Sequence, residues 1–152
     1  MRRAPDIVIG SADSPYLRRW YLIPHNRVVN VYLHQFVRSD DDRALHDHPW
    51  SNISILLRGS YFEHTRDGQK LLRRPWRPWA PWRLVIRRPS TAHRVELLSV
   101  ATVDSSRELP CWSLFITGPK VREWGFLCPW GWRHWRDFST GERGETLGRG
   151  CD

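Results

Sequence analysis

The sequence is poor in cysteine and methionine, and it contains no long apolar run. No stretch approaches the roughly 20 apolar residues that a membrane-spanning helix requires. The short run at residues 7–9 is too brief for the core of a signal peptide, so we expect neither secretion nor a membrane partner. An odd number of cysteines without CxxC spacing predicts reduced thiols in a cytoplasmic protein, at Cys111, Cys128 and Cys151.

Lysine is almost absent, although the formal net charge is +8. Only Lys70 and Lys120 are lysines, and the other basic residues are arginines. This bias is explained either by a GC-rich genome or by a basic face that meets an anionic partner. The arginines are spread along the whole chain, which favours solvated side chains and makes nucleic acid an unlikely partner.

Helical periodicity is also lacking, whereas short runs of β-branched and aromatic residues recur between Gly, Pro, Asp and Asn. A chain of 152 residues is long enough for one domain. We therefore predict an all-β, single-domain antiparallel β-sandwich barrel over residues 1–138. The Gly-rich residues 139–152 are predicted to form a flexible tail. The predicted strands cover residues 19–23, 28–37, 52–58, 60–65, 69–73, 82–87, 93–98, 111–117 and 122–128.

The segment 73–83 is dense in proline, arginine and tryptophan. Its three prolines exclude a central strand, because proline cannot donate to a sheet ladder. We expect a loop or an edge whose indoles either cover apolar surface or form an exposed patch.

Three histidines form the most informative pattern. His46 and His48 are two residues apart, so in a strand their side chains project to the same face. In residues 93–97 the alternation places His93 with the apolar residues and Arg94 with Glu96 on the other face. An unpaired imidazole inside the barrel is costly, and a metal ion shared with the other two removes that cost. A purely structural histidine cluster is the alternative.

With these residues the chain resembles the cupin superfamily, which implies a jelly-roll barrel. His46-x-His48, Asn52 and Gly59 follow the spacing of the first cupin motif, in which Asn52 stands at the position of an acidic ligand. Residues 89–93 are similar to the second motif but lack its glycine and are one residue shorter. More narrowly, His46-Asp47-His48-Pro49-Trp50 resembles a group of small uncharacterised cupins of bacteria and tailed phages.

The resemblance implies one divalent transition metal on His46, His48 and His93, with Asn52 as a further candidate ligand or as the group that orients a bound water. An imidazole-rich site suits Fe, Ni, Cu or Zn. Three-histidine cupin sites leave open an oxygenase or isomerase activity on a small molecule. The candidate proton donors and acceptors are Tyr61, Glu63 and His34. For His34 a satisfied core histidine is the stronger alternative, and for Glu63 a rim residue paired with an arginine.

Two other function classes stay open. A binding or structural protein, including one in a phage particle, would use the many tryptophans at an interface, and cupins often pair as homodimers through edge strands. Single-stranded nucleic-acid binding by arginine and tryptophan ranks third. No nucleophile motif, phosphate loop or dinucleotide fingerprint is present, so the predicted chemistry centres on the metal.

Overall fold

The structure is a computed structural model that describes residues 3–10, 13–40, 44–73, 84–101, 106–140 and 146–152. Most of the Pro- and Trp-rich segment, residues 74–83, lies outside the described residues, so its predicted loop stays a prediction. Among the described residues, no helix has the length and apolar character that crossing a membrane would require.

Two six-stranded antiparallel sheets build the fold. The first has the order β1-β2-β3-β12-β5-β8 and the second β14-β13-β4-β9-β6-β7. The strands of the first sheet are β1 (Ile7–Gly10), β2 (Pro15–Tyr21), β3 (Asn30–Phe36), β5 (Asn52–Arg58), β8 (Leu84–Arg87) and β12 (Cys111–Thr117). Those of the second are β4 (Leu45–His46), β6 (Ser60–Thr65), β7 (Gly68–Arg73), β9 (His93–Leu97), β13 (Gly125–Cys128) and β14 (Gly131–His134).

Only short elements complete the described chain. They are β10 (Ser99–Ala101) with β11 (Ser106–Glu108), β15 (Ser139–Thr140) with β16 (Thr146–Leu147), and the single-turn helix α1 (Trp135–Phe138). The predicted all-β antiparallel fold is confirmed. Several strands of two to four residues, such as β4, escaped prediction because they contain too few positions for a period-2 pattern to be recognised.

The inward-facing side chains change from polar to apolar along the strands. In β12, Thr117 lies towards one end and Cys111 towards the other, and Asn52 and Leu56 of β5 follow the same direction. At the apolar end a buried cluster closes the interior, formed by Leu56, Tyr61, Leu72, Val95, Leu97 and Cys111. The polar end is thus the part of the interior where the inward side chains can bind a ligand and do not form an apolar core.

Gly59 makes the turn that leads from the first sheet into the second. Its φ is +83°, a conformation that other residues rarely adopt. A Cβ at this position would lie 2.8 Å from the Cβ of Cys111, so a side chain would also collide with β12. The glycine of the predicted motif therefore has a structural role in joining β5 to β6.

The prediction of three reduced thiols is wrong for two of them. Cys128 and Cys151 form a disulfide, and only Cys111 is free and buried. The two cysteines are 23 residues apart, and the docking of the chain end brings them together. The predicted cytoplasmic location loses the support of reduced thiols and stays a prediction that rests on the lack of a signal-peptide pattern.

Residues 146–152 make contacts that the flexible-tail prediction did not anticipate. Besides the disulfide, the carbonyl oxygen of Cys151 accepts from the Trp130 indole at 2.8 Å, and that of Gly150 accepts from Arg133 at 2.9 Å. The amide of Gly150 donates to the Phe138 carbonyl oxygen at 3.1 Å. The described end of the chain is therefore attached to β14 and α1, while the domain boundary at residue 138 stays a prediction.

Candidate metal centre

His46, His48 and His93 lie together inside the barrel, as the sequence predicts. His46 in β4 is the register partner of His93 in β9, and His48 lies two residues after the end of β4. Each imidazole offers one nitrogen such that the three nitrogens lie within 4.8 Å of one another. The Nε2 atoms of His48 and His93 are 2.8 Å apart. This group could hold one metal ion, because all three side chains present donor atoms to the same small volume.

Asp47 lies between His46 and His48, the two histidines of the first motif, and its contacts on the opposite face of the chain hold this segment in place. Its carboxylate accepts from the Gly125 amide at 2.8 Å, the Trp132 indole at 3.1 Å and the Arg122 guanidinium at 2.5 Å. Asp47 is 4% exposed, so these contacts are largely shielded from water. The alternation that turns Asp47 towards β13 and β14 turns both histidines inward.

A buried ion pair stands beside His93. Glu63 of β6 accepts from Nε of Arg87 at 2.6 Å and is also paired with the terminal nitrogen of that guanidinium. Oε1 of Glu63 also lies 2.9 Å from Nδ1 of His93, in contact but without hydrogen-bond geometry. The carboxylate thus faces the ring nitrogen that points away from His48. Glu63 is therefore neither a rim residue nor free, and it supports His93 from behind.

Asp40 has a similar relation to His46. Its Oδ2 lies 3.5 Å from Nδ1 of His46, and both side chains are mostly buried. Two of the three histidines thus have a carboxylate beside Nδ1. A carboxylate near this ring nitrogen is the usual environment of histidines that bind metals, where a hydrogen bond to it orients the ligating ring.

The electrostatics favour neutral imidazoles. Burial lowers the pKa of His48 well below its usual value, and His93, His46, Arg87 and Arg19 lower it further. Burial likewise lowers the pKa of His93, with added contributions from Arg87 and His46. A metal ion binds the neutral ring through its free lone pair. Three mutually close imidazole nitrogens fit a divalent transition metal, while the choice among Fe, Ni, Cu and Zn stays open.

Asn52 occupies the expected position but is engaged by an arginine. Its side chain is 2% exposed, and its Oδ1 accepts from Nη1 of Arg87 at 3.3 Å. Its amide nitrogen is buried without a hydrogen-bond partner among the described residues. The amide oxygen is thus oriented towards Arg87, and a role for Asn52 as a ligand stays a prediction.

The other two candidates lie in different surroundings. His34 faces the interior, where it stacks on Phe115 with ring centroids 4.8 Å apart and accepts from Nε of Arg19 at 2.9 Å. Tyr61 is 2% exposed and belongs to the apolar cluster. Burial raises the pKa of Tyr61. A catalytic role for either residue stays a prediction, and the position of His34 is the better suited.

Sequence reasoning missed Asp47, Asp40, Arg87 and Arg19 as residues of this region. Asp47 carried a recognisable signal, because a carboxylate between two inward histidines must face the other side of the strand. Arg87 carried a weaker signal, because it alternates with Val85 on the predicted strand. The structure confirms that it is buried, with 3% exposure. An arginine among so many could not be singled out without the partner that the fold provides.

The depressed histidine pKa values predict that metal-free protein loses stability in mild acid. Burial lowers the pKa of both His34 and His93 well below 6.5. Below pH 6.5 the unfolded chain therefore binds protons that the folded chain does not. Stability contributed by these rings is complete above that pH and falls as pH decreases towards the folded-state pKa values. Each ring contributes a slope of up to about 1.4 kcal/mol per pH unit.

Urea unfolding of chelator-treated protein between pH 5 and 7 measures this slope. In the variant His34→Gln, the slope of the unfolding free energy against pH should be smaller by the contribution of one ring, which binds about one proton on unfolding. An unfolding free energy that is flat over this range would contradict the prediction.

Comparisons with known proteins concern the fold. No protein-family model matches the chain, and no curated protein matches it. Among solved structures, a cupin-like protein from Thermotoga maritima is 16% identical with a TM-score of 0.51, covering 84% of this chain and 87% of that one. An uncharacterized conserved protein with a double-stranded β-helix domain from Klebsiella pneumoniae is 15% identical with a TM-score of 0.51, covering 78% and 89%. At these identities the likeness concerns architecture alone, and by that architecture the chain has the double-stranded β-helix fold of the cupins.

Proposed function

We propose that this protein is a metal-dependent enzyme, of oxygenase or isomerase type, that acts on a small molecule inside the barrel. The observation that carries the proposal is the convergence of three imidazoles at the polar end of the interior, each able to present one nitrogen. His46, His48 and His93 would hold the metal. When bound, the metal would supply Lewis acidity towards an oxygen atom of the substrate.

Among the described residues, the candidate ligand set contains no carboxylate. Glu63 is engaged with Arg87 and His93, and the Asn52 amide oxygen with Arg87. Three neutral ligands leave the full dipositive charge of the ion in the site, so the centre would favour an anionic or oxygen-rich substrate. The chain itself contributes orientation, because Glu63 and Asp47 fix His93 and the two motif histidines from behind.

His34 is a further candidate for proton handling, because it faces the interior and stacks on Phe115, which lies beside His48. Its pKa is lowered by burial, then by Arg19 and His48, so the ring is neutral near pH 7. Since its Nε2 accepts from Arg19, the ring proton is assigned to Nδ1. A neutral ring with a defined N–H can donate a hydrogen bond to substrate without carrying charge.

The test combines elemental analysis with a reaction screen. Purified protein is loaded separately with Fe(II), Ni(II), Cu(II) and Zn(II), and bound metal is counted per chain. Each loaded form is then mixed with a panel of small oxygen-containing molecules. Dioxygen uptake reports an oxygenase, and proton NMR without dioxygen reports an isomerase. Substoichiometric binding of every metal would contradict the proposal.

A binding or structural role is the second candidate, favoured by the exposed face of β13 and β14. Trp130 is 62% exposed and Trp132 is 42% exposed. The guanidinium of Arg133 lies 5.8 Å from the Trp130 ring, and that of Arg122 lies 5.9 Å from the Trp132 ring. Exposed indoles beside arginines are typical of interface centres. The predicted edge-strand homodimer, particle partner and nucleic-acid partner belong to this candidate.

A further inference from the structure

A second basic side chain faces the interior of the barrel and has no counter-charge. Arg19 of β2 is the register partner of His34 of β3, so both project to the inner face of the first sheet. Its guanidinium lies 4.8 Å from the centroid of the Tyr32 ring. No carboxylate of the described residues is within ion-pair distance of Arg19. The other interior arginine, Arg87, is by contrast paired with Glu63.

Most of the hydrogen-bonding capacity of Arg19 is unused. Its Nε donates to His34 at 2.9 Å, and this is the only side-chain hydrogen bond that it makes to the described residues. Neither Nη1 nor Nη2 donates to a side chain of the described residues. The residue itself has intermediate exposure. The two outer nitrogens of this largely buried guanidinium, with their four N–H bonds, are therefore available to a ligand.

One aromatic ring, Phe115, lies between His34, the hydrogen-bond partner of Arg19, and the three histidines. Phe115 stacks on His34 at 4.8 Å between ring centroids and lies 6.1 Å from the ring of His48. His34 thus contacts Arg19 on one side and Phe115 on the other, and Phe115 in turn lies beside His48. A small molecule beside Phe115 could thus contact the guanidinium at one end and the three histidines at the other.

We propose that Arg19 binds the carboxylate of a small-molecule substrate whose reacting end lies at His46, His48 and His93. The planar guanidinium matches a carboxylate through two parallel hydrogen bonds, and one such group neutralises its single charge. Tyr32 and Phe115 provide aromatic walls for the apolar part of the molecule. The inference rests on the proposed function, since it assigns the substrate class of that same centre: a small carboxylic acid.

The experiment measures anion binding in metal-free protein, where a carboxylate cannot bind to a metal instead. Acetate, benzoate, pyruvate and inorganic phosphate are titrated separately by calorimetry into wild type, Arg19→Gln and Arg19→Lys. Arg18→Gln is the matched control, because Arg18 precedes Arg19 on the same strand but faces outward and contacts Gln35. Both glutamine variants remove one positive charge, so only a local contact can distinguish them.

At least one carboxylate should bind to wild type at or below about millimolar concentration, and Arg19→Gln should weaken it about tenfold or more. Arg19→Lys should be intermediate, because it keeps the charge but loses the fork. Arg18→Gln should bind as wild type does. Thermal unfolding of each variant verifies that it is folded, and Arg19→Lys serves if Arg19→Gln is not.

Three results would overturn the inference: no carboxylate binds to wild type, Arg18→Gln weakens binding as much as Arg19→Gln, or only phosphate shows dependence on Arg19. Measuring bound metal in the same wild-type protein distinguishes a failure of the carboxylate site from a failure of the proposed function. Wild type that binds no metal but needs Arg19 for carboxylates contradicts the enzyme and supports the anion site. If wild type binds metal but its carboxylate binding does not depend on Arg19, the metal centre is supported and the anion site is contradicted.

Discussion

Replacing His93 by alanine is expected to remove bound metal from the protein. His93 is the candidate ligand whose Nε2 lies 2.8 Å from that of His48, and without it only two of the three imidazoles stay at the centre. Loss of an outer hydrogen-bond partner alone costs about 10- to 100-fold in metal affinity, and loss of a ligand should cost more. Competition with a chromophoric chelator measures the affinity for each metal.

The fold should tolerate the change. Glu63 keeps Arg87 as its partner in His93→Ala, and the apolar cluster at the other end of the interior is untouched. The matched control is His25→Ala, which removes an exposed histidine far from the motif in sequence and should leave metal affinity unchanged. Metal affinity that is equal in His93→Ala and wild type would show that the cluster is structural.

Removing the charge of Glu63 is expected to destabilise the protein strongly. Arg87 is 3% exposed, and Glu63 is the carboxylate that compensates it. The variant Glu63→Gln would leave a buried guanidinium without a counter-ion, which costs about 3–5 kcal/mol. Urea unfolding of metal-free protein measures the difference. Metal affinity should also fall, because His93 loses the carboxylate beside its Nδ1.

Two further variants make this result specific. Glu123→Gln breaks the exposed pair with Lys120 and should have little effect, since water screens that pair. The double change Glu63→Leu with Arg87→Met should recover much of the stability, because it removes both buried charges together. If Glu63→Gln and Glu123→Gln were equally mild, the buried pair would have no special role in stability.

Local sequence determined a large part of the fold and the identity of the central histidines. Strands such as Asn52–Arg58, Ser60–Thr65 and Cys111–Thr117 were predictable because alternation over six or seven residues distinguishes an inner from an outer face. The same alternation placed His93 inside and His46 with His48 on one face. Gly59 was predictable from its spacing in the motif.

Only the tertiary structure decided which distant residues meet. Glu63 and Arg87 are 24 residues apart, Asp47 and Trp132 are 85 apart, and Cys128 and Cys151 are 23 apart. Such pairs depend on how two sheets face each other, and a periodicity of two or 3.6 residues contains no information about that. The disulfide was missed for this reason, since cysteine spacing cannot report a contact formed when the chain end docks.

Arg19 shows the same limit. On its strand it is one of two adjacent arginines, and nothing in the local pattern separates it from Arg18. The register of β2 against β3 turns Arg19 towards His34 and Arg18 towards Gln35. A shift of one residue would exchange the two faces, so pairing between strands, and not the chemistry of either side chain, decides which arginine lies inside the barrel.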